Sequence, residues 1–127
     1  MNPYEIIYQN FSHCTEYRDD SFLGILHEQS RLDMSEYWKL EWSLVKLTQK
    51  KVDYQRNLSW PAFRIYSYGM RLLQADVDPD NGYKICDFDL ASNYEFTERF
   101  QLVFEGFFRG DPPDLKLAFD ERNPLLD

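Results

Sequence analysis

Side chains capable of acid–base, nucleophilic or metal-binding chemistry fall in a few short stretches. The densest is Asp76-Val77-Asp78-Pro79-Asp80-Asn81-Gly82, followed by Asp87 and Asp89. Counted from Asp76, acids occupy positions 1, 3 and 5, as at the start of a calcium loop, where alternate carboxylates converge on a hard cation. The later positions depart from that pattern. Position 12 is Asp87 rather than Glu, Asn81 holds position 6 so the glycine falls one place late, and Pro79 restricts the turn. An acidic turn joining two elements accounts for the same residues, because Asp-Pro-Asp-Asn-Gly is strong turn chemistry and Asn-Gly tolerates positive φ. Six carboxylates lie between Asp76 and Glu95 with Lys84 as the one cation among them. They repel one another, and a cationic partner would relieve that repulsion.

Other reactive side chains are sparse. His13 and Cys14 are neighbours in sequence, which does not orient a base toward a nucleophile in space. His27-Glu28 lacks the second histidine of a zinc helix, and the set His13, Cys14, His27 and Cys86 matches no zinc-finger spacing. Neither a glycine-rich phosphate loop nor a G-x-S-x-G elbow occurs. Two carboxylates meeting in a cleft could still do acid–base work, but nothing in the pattern singles out a pair. No catalytic, cofactor-binding or metal-ligating residue is therefore assigned.

These residues must be held by one domain of 127 residues, 1–127. Fourteen Lys and Arg against 22 Asp and Glu leave a formal charge of −8, which argues against nucleic acid or an anionic membrane as the main partner. Ten Phe, nine Tyr and three Trp supply ample apolar surface to order the chain. The N-terminal stretch mixes polar residues into its apolar ones, no window reaches the length of a membrane span, and Cys14 and Cys86 do not make a disulfide framework. A cytoplasmic protein with two reduced thiols is the expectation.

Helix punctuation is legible. Asn2-Pro3-Tyr4-Glu5 reads as a cap, with Tyr4, Ile7, Tyr8 and Phe11 on one face behind it. Asp33-Met34-Ser35-Glu36 opens a helix over Met34–Lys50, where Lys50 and Lys51 suit the negative end of its dipole. Ser59 before Trp60-Pro61 starts a third segment, a helix with Phe63, Tyr66, Met70 and Leu73 as its stripe or, over Phe63 to Tyr68, a strand. Ser92-Asn93-Tyr94-Glu95 reads as a capping box for a fourth, stopped by Gly110 and Pro112, with Gly106 allowing a close contact or a bend. Ser21 to Glu28 reads as a two-turn helix or a buried strand. The fold class is mainly α, with an α+β variant in which short strands occupy 83–88 and 115–119. Most aromatics of the middle third, Tyr37 to Tyr68, are expected in the core.

Charge is unevenly distributed. Five acids and one base over 1–30 leave −4, four acids and seven bases over 31–64 leave +3, and thirteen acids and six bases over 65–127 leave −7. The bland account is a solvated acidic face; the functional one is a surface that captures a basic partner.

The segments Ser21-Phe22-Leu23-Gly24-Ile25-Leu26-His27-Glu28, Tyr37-Trp38-Lys39-Leu40-Glu41-Trp42 and Glu98-Arg99-Phe100 through Glu105-Gly106-Phe107-Phe108-Arg109-Gly110 resemble small bacterial immunity proteins of polymorphic toxins, including contact-dependent growth inhibition systems. The resemblance is one of overall style across most of the chain. It implies a cytoplasmic, non-catalytic inhibitor, without a cofactor, that covers the basic active site of a cognate toxin, such as a nuclease. Under that reading Asp76, Asp78, Asp80, Asp87 and Asp89 are expected to form the partner-binding surface, with Tyr83 as an anchor. The alternatives are an acidic adaptor or regulatory module, and a small ligand-binding or enzymatic domain with a deep polar pocket.

Overall fold

A computed structural model describes residues 1–50 and 55–126. Among the described residues, six helices account for the regular structure: α1 (Pro3–Gln9), α2 (Phe22–Gln29), α3 (Met34–Lys50), α4 (Gln55–Val77), α5 (Leu90–Arg109) and α6 (Leu115–Ala118). The mainly α fold class is correct, and no strand occurs among the described residues.

Local hydrogen bonds set most boundaries. The Asn2 side chain accepts from Tyr4 N–H at 2.9 Å, Ser21 from Gly24 N–H at 3.1 Å and Asp33 from Glu36 N–H at 3.1 Å, each satisfying a donor that a helix start leaves free. Ser21 to Glu28 is thereby settled as helix. Asn10 ends α1 and also joins it to α2, donating to Ile6 O and accepting from Leu23 N–H, both at 2.9 Å. At the far end of α5, Gly110 takes φ +76° and its N–H turns back to Phe107 O. A Cβ on Gly106 would fall 2.6 Å from Pro113 Cδ, so this glycine admits the Asp111-Pro112-Pro113 turn against the helix.

Four expectations need correction. The third segment begins at Gln55, not Ser59, so Pro61 sits inside α4. An interior proline removes a backbone hydrogen bond, and burial of Leu58, Ala62 and Ile65 on that stretch offsets the loss. The buried face is accordingly rotated from the expected stripe, leaving Phe63 exposed. Helix α5 starts at Leu90 because Asp89, not Ser92, is its cap, and Ser92 N–H is the donor, at 2.8 Å. Tyr83–Phe88 is not a strand: Ile85 N–H goes to the Asp76 carboxylate at 2.7 Å and Cys86 N–H to Ser30 O at 2.8 Å, so its donors meet loop and side-chain acceptors rather than a ladder. In the 115–119 stretch, Leu115–Ala118 is the short helix α6, capped by Asp114. Lys51, the second lysine expected at the end of α3, lies outside the described residues.

Helix α3 packs on α1 and α5, and α5 also packs on α4, with α2 against α3 and α4. Rings of Phe22, Tyr37, Phe96, Phe100 and Phe104 form a continuous aromatic core, with Tyr37 and Phe96 4.7 Å apart edge-to-face and Phe100 and Phe104 4.9 Å apart. Gly69 lets α4 approach α5, since a Cβ there would lie 2.6 Å from the Phe100 ring. The middle-third aromatics divide: Tyr37 and Trp38 are buried, whereas Trp60 and Phe63 face solvent. No helix among the described residues is long and apolar enough to cross a membrane.

Candidate functional site

The end of α4 and the start of α5 are tied together by Asp76. Its carboxylate accepts from Ile85 N–H and, at 3.0 Å, from Asn93 Nδ2, while Asn93 also donates to Leu73 O at 3.0 Å. Asp76 is buried, so it holds the turn together and is removed from the expected docking surface. The sequence pattern is blind to this, because alternating aspartates look alike until packing turns one of them inward.

Lys84 completes the turn. Its ammonium donates to Asp78 O at 2.8 Å, Asn81 O at 2.9 Å and Ala75 O at 3.4 Å, placing a cation on carbonyls at the negative end of α4. With Lys84 on the loop carbonyls and Asp76 turned toward Ile85 and Asn93, the 76–87 stretch lacks the convergent oxygens of a calcium loop. No group of three or more metal-ligating side chains gathers among the described residues.

Tyr83 is not a free anchor either. It is half-buried and its hydroxyl donates to Leu26 O at 2.6 Å. Burial, and then the neighbouring Asp76 charge, push its phenol up to about 12. It joins the acidic turn to α2.

Asp78, Asp80, Asp87 and Asp89 remain exposed. Asp78 also accepts from Asp80 N–H at 2.9 Å, and Asp87 sits at φ 50°, a conformation that aspartate tolerates better than most residues. Between these acids, the first turns of α5 expose Leu90 (54 %) and Tyr94 (63 %), one turn apart on the same side of the helix. Glu95 is exposed beside them, and neither it nor Asp87 has an ion-pair partner among the described residues. Tyr94, rather than Tyr83, is therefore the well-exposed tyrosine beside these acids. The four-residue spacing of Leu90 and Tyr94 is legible in the sequence, where Tyr94 reads only as part of the Ser92-Asn93-Tyr94-Glu95 capping box and Leu90 carries no signal.

Ser92 N–H holds the Asp89 carboxyl below its ordinary value. The cap therefore contributes stability that is present above the unfolded value of 3.8 and lost as pH falls through the lower folded value. Asp89→Asn, which still caps, should flatten the acid limb of the stability profile as pH falls below 3.8. Urea unfolding across that range checks this; an unchanged limb would refute it.

Next to the acidic face lies an open cleft of about 460 Å³. Phe88, Phe96 and Phe119 line it together with the carboxylates Asp87, Glu95 and Glu121. Arg31 and Arg99 also line it, yet both are neutralised locally, Arg31 by Asp33 at 3.2 Å and Arg99 by Glu41. Aromatic faces beside unpaired carboxylates suit the insertion of a Lys or Arg side chain.

Arg99 belongs to a buried network that the sequence did not reveal. Its Nε and Nη2 donate to the two oxygens of Glu41 at 2.7 and 2.9 Å, and Nη1 donates to Glu121 O at 2.6 Å. Tyr37 O–H and Asn123 Nδ2 donate to the same carboxylate at 3.1 and 3.0 Å. The guanidinium lies 4.7 Å from the Trp38 ring centroid and 5.2 Å from that of Phe119. Burial opposes the charge on Arg99, but Glu41 outweighs it and holds the group above its ordinary value. Burial, then Glu41, drive Tyr37 well above its own. The network fixes the C-terminal tail onto α3 and α5.

Both cysteines are free thiols. Cys14 donates to Tyr8 O at 3.2 Å and burial pushes its thiol up, the reverse of an activated nucleophile. Fold and site together define an all-α domain with an acidic, aromatic-bearing face at one end of the α4/α5 pair. No protein-family model, curated protein or solved structure matches the chain.

Proposed function

We propose that this protein is an immunity protein that neutralises a basic toxin domain, such as a nuclease, by binding over its active site. The supporting observation is the exposed face in which Asp78, Asp80, Asp87, Asp89 and Glu95 flank Leu90 and Tyr94, with its one nearby lysine held on backbone carbonyls. Uncompensated carboxylates draw in a positively charged protein and set its orientation. The exposed aromatic and aliphatic pair supplies contact area of the kind that anchors interfaces, and the neighbouring cleft receives a basic side chain of the partner. Inhibition follows from occupancy: a phosphate-binding surface covered by carboxylates is closed to nucleic acid. No covalent step by the inhibitor is needed.

The test is co-purification with the product of the adjacent upstream gene, together with rescue of cells expressing that product. A stable complex and restored growth are expected. Absence of both the complex and the rescue would overturn the reading.

A further inference from the structure

On a different surface, between the 12–17 loop, α2 and α4, lies a second cleft of about 250 Å³ with the opposite chemistry. Ser12, Tyr17, Leu23, His27, Arg64 and Tyr68 line it. Arg64 Nε is buried without a hydrogen-bond partner, and its guanidinium lies 4.7 Å from the Tyr68 ring centroid. No carboxylate among the described residues pairs with it. The hydroxyls of Ser12 and Tyr17 likewise have no partner among the described residues, whereas Tyr68 O–H is bonded to His27 Nδ1. Glu28 is the opposing charge in the lining, its carboxylate 3.6 Å from His27 Nε2, and the Asp19 carboxylate also acts on Tyr17 from outside it.

A buried donor without an acceptor is costly. Among the described residues Arg64 Nε is the one buried side-chain atom so placed, and it shares one small concavity with the hydroxyls of exposed Ser12 and part-buried Tyr17. We propose that this cleft binds a small oxyanion, the phosphate or carboxylate group of a small molecule. Arg64 supplies the charge and a planar fork of donors, Ser12 and Tyr17 add hydroxyl donors, and Tyr68 forms an aromatic wall. Glu28 weakens the site by repulsion, which gives the proposal two opposite signatures.

Two-dimensional amide NMR of the full chain, titrated separately with inorganic phosphate and with acetate, provides the test. Saturable shifts at Ser12, Tyr17, His27 and Arg64 are expected, and the tighter of the two probes identifies the source chemistry. Arg64→Gln should weaken binding at least about tenfold, because hydrogen bonds to a charged group are lost. Arg64→Lys should retain part of it, and Glu28→Gln should tighten it. The double substitution Asp78→Lys/Asp80→Lys should leave the shifts in this cleft in place, which separates this site from the acidic face. Absence of saturable shifts with both probes, or shifts unaffected by Arg64→Gln in a protein with unchanged circular dichroism, would overturn the proposal.

Discussion

Glu41→Ala and Arg99→Ala should each lower stability by about 3–5 kcal/mol, because each leaves a buried charge without its partner. The two side chains are 0 % and 5 % exposed, so water cannot replace the lost contacts. Glu41 also accepts from Tyr37 and Asn123, and Arg99 holds Glu121 O, so either change leaves further polar groups unsatisfied. For a domain of this size the loss corresponds to a fall in Tm of roughly 10–20 °C. The paired replacement Glu41→Leu/Arg99→Met removes both charges while keeping volume, and should recover much of the loss. Thermal melts followed by circular dichroism measure all three. If either single variant melts within a degree or two of the parent, the network does not organise the fold. If the double variant is as unstable as the worse single one, the hydrogen bonds to Tyr37, Asn123 and the tail matter more than charge compensation.

The second large effect concerns binding. Under the proposed function, Tyr94→Ala should weaken the complex with the basic partner by about 2 kcal/mol or more, roughly thirtyfold, through faster dissociation. Asp78→Lys/Asp80→Lys should act differently, slowing association and flattening its salt dependence. Asp76→Asn tests the distinction between docking and framework residues. Buried against Ile85 and Asn93, it should reduce stability and leave the salt dependence of association as it was. Trp60→Ala serves as the control, since this exposed aromatic lies on the first half of α4, away from the acidic end. Surface plasmon resonance at several ionic strengths separates the two rate constants. Association unchanged by the double charge reversal would remove the acidic face as the docking site. Equal losses from Trp60→Ala and Tyr94→Ala would move the anchor away from α5.

Features that depend on near neighbours are legible in the order of residues alone. Asn2, Asp33 and Gly110 mark helix ends because a cap is a hydrogen bond to a group within a few residues, and chain order already brings the two together. The acidic character of 76–95 was equally plain. Only the tertiary structure decided which carboxylate of that run faces inward, since Asp76 meets Asn93 across 17 positions. It alone paired Glu41 with Arg99, 58 positions apart, and gathered Ser12, Tyr17 and Arg64 at one cleft. It also rotated the buried face of α4, leaving Phe63 outside and Ala62 and Ile65 inside. The reason is common to all of these. A local pattern records what a residue prefers, whereas the environment of a charged or aromatic side chain is set by whichever distant helix packs against it, and helix packing is a property of the whole chain.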